Sequence, residues 1–149
     1  MSRPARPAAT ICAFRDGPDG PEVMMVQRGE TARFMAGAWV FPGGAVDTID
    51  SAASAVAAVA TTAPAEMQPW LAAAVRELVE EVQVWITDPP VVLADPEPFV
   101  KDEQVYTVAA ALERNFAVDR LAYFANWITP SMVPVRFDTR FFAVHVPRD

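Results

Sequence analysis

Apolar positions recur along this chain at two spacings, and the change from one to the other marks its elements. Residues 8–14, 22–28, 38–41, 121–129 and 137–146 are short apolar or alternating runs of the strand kind. Asp16-Gly17-Pro18-Asp19-Gly20-Pro21 is dense turn chemistry, so the first two runs read as a hairpin. Residues 67–83 change to helical spacing. At about 100° per residue, Leu71, Ala74, Val75, Leu78, Val79 and Val82 share one side, and Pro69 suits the first turn. Residues 52–60 are an Ala/Val run that Asp50-Ser51 can cap as a short helix, and Thr61-Thr62-Ala63-Pro64 breaks it. Residues 102–116 place Val105, Val108, Ala109, Leu112 and Phe116 on one helical stripe, which reads as core. Residues 84–87 read as a strand or a helix exit, Asp88-Pro89-Pro90 stops regular structure, and Asp95-Pro96-Glu97-Pro98 is loop. Residues 1–7 read as a flexible, Pro-interrupted arm.

The main helix carries a second pattern. Glu77, Glu80 and Glu81 lie together on a face away from the apolar one, within an arc of roughly 100°. Like charges at i, i+3 and i+4 repel by a few tenths of a kcal/mol per pair. A hard cation such as Mg²⁺ or Mn²⁺ would reverse that sign, because it prefers oxygen ligands. Taken alone, the same three residues also read as a solvated acidic face. Arg76 stands one turn before Glu80 and can pair with it. Upstream, Trp39-Val40-Phe41-Pro42-Gly43-Gly44 is an apolar strand broken by Pro and a Gly pair, and the glycines permit close approach of backbone to a ligand.

An apolar strand, a Gly-Gly turn, an acidic residue and then a helix with R-E-x-x-E-E resembles the Nudix hydrolase family. The family pattern is G-x5-E-x7-R-E-U-x-E-E-x-G-U, with U aliphatic. Gly44 matches the first Gly, Arg76-Glu77-Leu78-Val79-Glu80-Glu81 the core and Val84 the last aliphatic position. Asp50 stands where the first Glu belongs. Residues 51–75 hold 25 positions where the pattern has seven, an insertion of 18 assigned to 51–68. Gln83 replaces the final Gly, so it either strains the turn or lets the helix run on. An insertion inside the motif also occurs in a subgroup related to coenzyme A diphosphatases. That subgroup is also resembled by W-I-T-P at 127–130 and R-F-D-T-R-F-F at 136–142.

The resemblance implies an α/β (α+β) fold, an α/β/α sandwich with a mixed sheet, in a single domain over 1–149. It implies a metal-dependent hydrolase that cleaves the diphosphate bond of a nucleoside diphosphate linked to another moiety. Glu77, Glu80, Glu81 and the Gly44 carbonyl would hold Mg²⁺ or Mn²⁺. Glu80 or Glu81 would position or deprotonate water, and Arg76 would hold a carboxylate in place. Arg28, ending the second strand, with Gly43 and Gly44, would face the substrate; a solvated strand end is the other reading of Arg28. Arg33 reads as exposed, with a phosphate contact as its alternative. Relatives hydrolyse nucleoside triphosphates, nucleotide sugars, dinucleotides, NADH and coenzyme A, and the insertion favours coenzyme A derivatives. The alternative is a nucleotide- or metal-binding or dimerisation module without turnover.

Composition narrows the rest. With 149 residues and 52% hydrophobic content, the chain can bury a real core. Its formal charge of −7 disfavours a nucleic-acid backbone as partner and asks for cations before a phosphate approaches. Cys12 is the only cysteine, which excludes an internal disulfide and a CxxC metal site, and it reads as a small apolar strand residue. His145, the only histidine, reads as structural or exposed and without a partner. No apolar run reaches the roughly 18 residues of a membrane span, and a cytoplasmic setting is the default. Family members usually continue past the strand at 137–146, so the chain reads as a natural truncation, as half of a split gene or as a fold whose missing elements a partner subunit covers, and a homodimer or larger assembly is expected.

Overall fold

The computed structural model describes residues 4–31, 35–88 and 100–147. Arg6–Gly17 forms β1, the strand that the sheet is assembled on. Ala9, Ile11 and Ala13 alternate along it and are buried, as period-two patterning requires of a strand with one face on the core. β2 (Gly20–Val23) returns antiparallel to it, with Gly17 opposite Gly20 across the Pro18-Asp19 turn. Gly20 has φ +129, which glycine adopts without a Cβ clash.

The expected second strand at 22–28 is two strands. Met24 N–H still donates to Ala13 O, but the next pairing is between β3 (Val26–Gln27) and β4 (Trp39–Val40). The reason is competition for one edge. β5 (Gly43–Ala45) occupies β1 at Ala8–Thr10, so the chain after Met24 has no free edge there to follow. The expected arm at 1–7 is also shorter than read. Arg6 and Pro7 already pair with Phe137 and Asp138 of β9 (Phe137–His145). Pro7 tolerates this place because its missing N–H lies away from the β9 ladder, and its carbonyl accepts Val46 N–H.

β9 runs parallel to β1, and β8 (Ala122–Ile128) runs antiparallel to β9, giving a mixed sheet of order β2-β1-β9-β8 with β5 beside β1. A separate two-stranded pairing joins β6 (Thr87–Asp88) to β7 (Asn115–Phe116). The expected fold class, a mixed sheet with helices packed on it, is therefore what the chain adopts. β8 lies at the sheet edge with a bulge at Phe124, and Phe124 and Trp127 gather around Phe141 at centroid distances of 6.1 and 6.4 Å while staying largely exposed.

The main helix, α2 (Gln68–Val82), lies within one residue of its expected bounds, with Pro69 in the first turn. Leu71, Ala74, Val75, Leu78 and Val79 are buried against Ile11, Ala13, Phe142 and Val144 of the sheet. Gln83 ends the helix in the left-handed region, at φ +56 and ψ +29, and its Nε2 donates to Val79 O at 2.8 Å. Of the two outcomes expected for Gln83, the strained turn is the one realised. Gln83→Gly is expected to stabilise the fold by about 0.5 kcal/mol, since relief of the left-handed Cβ penalty exceeds the lost side-chain bond. A thermal melt unchanged or lowered in that variant would refute it.

The segment 51–68 differs from its reading. Asp50-Ser51 does not cap a helix at 52–60. Asp47 caps a 3-10 turn at Thr48–Ser51, with Asp50 as the reciprocal partner of a capping box, and α1 is only Ala53–Ala58. Ala55, Ala58 and Val59 are buried and join the core, and α1 packs against α3 (Gln104–Ala111). The helix expected over 102–116 is shorter because Glu113 takes φ +54 and turns the chain towards β7. Phe116 is core, but from a strand, while Leu112 is exposed. His145 has partners after all: Nε2 lies 3.2 Å from Asp16 Oδ2, and its ring meets Phe14 edge-on at 5.4 Å. Cys12 is half-buried, as a strand residue, and burial raises its thiol pKa.

Candidate active site

Three consecutive backbone positions of β5 meet α2. Gly43 N–H donates to Glu81 Oε2 at 3.2 Å, and Ala45 O accepts Arg76 Nη2 at 3.0 Å. Between them, Gly44 presses its bare Cα on the Glu77 carboxyl group. A Cβ there would lie 2.6 Å from Glu77 Cδ and closer still to Oε1. At Gly43 a Cβ would meet Ala9 O at 2.5 Å and Thr10 Cα at 2.8 Å. The two glycines thus serve different ends: Gly43 lets β5 lie on β1, and Gly44 makes room for a carboxylate.

Arg76 is buried at the centre of this contact. Its Nε donates to Asp50 Oδ1 at 2.8 Å and its Nη2 to Asp50 Oδ2 at 3.1 Å, the bidentate fork that fixes both groups. Nη1 donates to Glu77 Oε1 at 2.8 Å and to both oxygens of Glu80 at 3.3 Å. Burial alone would lower the guanidinium pKa, but hydrogen bonding to Asp50 and the charges of Glu77, Asp50 and Glu80 raise it overall. Asp50 is fully buried and also accepts Asp47 N–H at 2.7 Å and the Tyr106 hydroxyl at 2.5 Å. Burial, then the Asp50 charge, keeps Tyr106 protonated far above its usual range, so it is a donor.

The three expected carboxylates line up along the same groove with different neighbours. Glu77 is raised to about 7, because burial and the charges of Glu80 and Glu81 outweigh the adjacent Arg76. Glu81 is also raised by burial, against the opposing effects of Gly43 N–H and of the Arg28 charge. Glu80 accepts Asp102 N–H at 2.7 Å besides Arg76. Arg28 is exposed and electrostatically coupled to Glu81, so Gly43, Gly44, Arg28, Arg76, Glu77, Glu80 and Glu81 all belong to one neighbourhood. Arg33 lies outside the described residues. Sequence reading missed Tyr106 and Asp102, which reach this network from α3 and its entry.

Among the described residues, no three acidic, histidine or cysteine side chains converge closely enough to hold a metal ion. Arg76 Nη1 stands between Glu77 and Glu80, and Gly43 N–H holds Glu81, so each carboxylate already has a donor. The donor set nevertheless suits a hard cation. It consists of carboxylate oxygens, and two of the three are reluctant to ionise without one. A cavity of about 360 Å³ lies elsewhere, between the β1–β2 hairpin and the exit of α2, lined by Phe14, Met24, Trp85 and Arg120 among others.

A pH dependence follows from Glu77. Below about pH 4.5 it is protonated in both states. From there to about 7 the unfolded chain ionises while folded Glu77 keeps its proton, so the fold loses stability as pH rises through that window. The melting temperature of the cation-free protein is therefore expected to fall between about pH 5 and 7, and Glu77→Gln to flatten that slope. Equal slopes in both proteins would refute it.

A profile of the NUDIX domain matches residues 4–142. A Caenorhabditis elegans protein named as nudix hydrolase 7 is 32% identical over 132 residues, covering 83% of this chain and 39% of the relative. The chain thus spans about two fifths of that curated relative. The crystal structure of a NUDIX hydrolase from Alicyclobacillus acidocaldarius superposes with a TM-score of 0.80 at 30% identity, over 99% of this chain and 72% of that one. A MutT/nudix family protein from Enterococcus faecalis, at 13% identity and a TM-score of 0.54, shares the fold over 100% of this chain and 39% of its own.

Proposed function

Since the chain belongs to the Nudix family, we propose that it hydrolyses the diphosphate bond of a nucleoside diphosphate linked to another moiety, with a divalent cation. The observation that carries this reading is the contact of Gly43-Gly44-Ala45 with Glu81, Glu77 and Arg76. Glu77, Glu80 and Glu81, with the Gly44 carbonyl, would hold Mg²⁺ or Mn²⁺, which when bound supplies charge neutralisation and a more acidic water. The chain's own residues do the rest. Arg76 orients Glu77 and Glu80 through Nη1. Glu81, held by Gly43 N–H, accepts a proton from water, and Glu80 is its alternative in that role. Arg28, exposed beside Glu81, meets the diphosphate charge. Positioning and charge neutralisation account for most of phosphoryl-transfer catalysis, so few further groups are needed.

The segment 51–68 within the motif supports coenzyme A or a related nucleotide derivative as substrate. A cytoplasmic setting belongs to the same proposal, and among the described residues no helix is long and apolar enough to cross a membrane. The exposed aromatic edge of β8 supports a homodimer, and a monomer by light scattering at micromolar concentration would defeat it. The test of the activity is phosphate or nucleotide release from a panel of diphosphate compounds with Mg²⁺ and Mn²⁺. A second reading, a binding module without turnover, is favoured by the N–H donors that already occupy all three carboxylates. Binding of Mn²⁺ by calorimetry without release from any compound would select it.

A further inference from the structure

The hydroxyl of Tyr106 poses a question that packing does not answer. The residue is fully buried, and its ring meets Phe116 edge-on at 6.5 Å, while Phe116 stacks on Trp85 at 5.8 Å. A phenylalanine would fill the same space. Burying a hydroxyl costs free energy unless it makes a bond that is needed. Here it donates to Asp50 Oδ1 at 2.5 Å, the same oxygen that receives Arg76 Nε. Asp50 is not on α2. It sits in the 3-10 turn after β5, and α2 reaches its carboxylate through Arg76 and its carbonyl through Gln68 Nε2, which donates at 3.1 Å.

From this juxtaposition we infer that Tyr106 is a positioning residue for the hydrolytic site, acting through Asp50 and Arg76 on Glu77 and Glu80. The inference rests on the hydrolase reading above. The chain of contacts has no loose member. Tyr106 holds one oxygen of Asp50 and Asp47 N–H holds the other, so the carboxylate plane is set. That plane sets the Arg76 fork, and the fork aims Nη1 between Glu77 and Glu80. The same stretch of chain touches the network a second time, at Glu80. Asp102, just before α3 and at φ +55, donates its N–H to Glu80 Oε1. One turn of chain thus grips the network at Glu80 and at Asp50. Its neighbour Glu103 is anchored in turn by Ser54 of α1 at 2.9 Å, which ties the segment 51–68 to the same assembly.

Tyr106→Phe removes the hydroxyl and keeps the ring, and Val105→Ala is the control, a buried neighbour on α3 whose apolar side chain bonds to no member of the network. The first measurement is hydrogen exchange of the Arg76 Nε–H by NMR on the cation-free protein. It is expected to be faster in Tyr106→Phe than in the wild type and unchanged in Val105→Ala, even where the control melts earlier. The second is Mn²⁺ affinity by calorimetry with kcat and KM on the best substrate. Tyr106→Phe is expected to lose about 10–100-fold in Mn²⁺ affinity or kcat, with KM held. Arg76 exchange and Mn²⁺ affinity equal to the wild type would overturn the inference. Wild-type protein that neither binds Mn²⁺ nor releases phosphate would sink the hydrolase reading instead, and the exchange measurement would still decide whether Tyr106 positions Arg76.

Discussion

Arg76→Met is expected to lower the unfolding free energy by about 3–5 kcal/mol, the range for removing one partner of a buried ion pair. The magnitude comes from what remains. Asp50 is fully buried, and methionine withdraws two of its four N–H and O–H donors. Ala45 O loses its guanidinium contact as well, and Glu77 and Glu80 are left facing each other without the cation between them. Arg76→Lys should recover only part of the loss, because an ammonium cannot bond both Asp50 oxygens and Ala45 O in one plane. Urea unfolding of both variants checks this. A loss below about 1 kcal/mol for Arg76→Met would show that the pair is no better than an exposed one.

Glu81→Gln is expected to reduce turnover by about 10²–10⁴-fold, the usual contribution of a positioned general base, while the fold survives. The amide oxygen can still accept Gly43 N–H, so the β5–α2 contact is kept. What is lost is a carboxylate whose burial makes it a stronger base than an exposed glutamate. Glu80→Gln gives the comparison. Glu80 is bound by Arg76 and Asp102 N–H, so if it supplies the base its variant shows the larger fall in kcat. Turnover equal to the parent in both variants, with cation present, would remove the hydrolytic assignment from this helix.

The helix and the glycine pair were legible because each is written locally. R-E-L-V-E-E at helical spacing sorts three acids from the apolar side within two turns, and Gly43-Gly44 announces a backbone that something must approach. β8 and β9 were legible for the same reason. What was not legible depends on distant neighbours. Tyr106 sits beside Val105 on α3, off the stripe drawn through Val105, Val108 and Ala109, and only Asp50 from another part of the chain explains its burial. The split of the strand at 22–28 depends on β5 having taken the edge of β1, which no pattern within 22–28 records. The early end of α3 turns on Glu113 at φ +54, where no glycine marks the stop. His145 met Asp16 because β9 lies beside β1 in parallel register.

The parallel ladder has a consequence for assembly. β1 and β9 lie far apart in the sequence, so the central pair of the sheet closes a long loop. Loop-closure entropy is met before any of that pairing is returned, which makes it a late and slow step. During synthesis, Arg6 to Phe14 wait with one edge unfilled until Phe137 to His145 leave the ribosome. A nascent chain stalled before β9 should therefore be protease-sensitive throughout β1, and gain protection there only when β9 emerges.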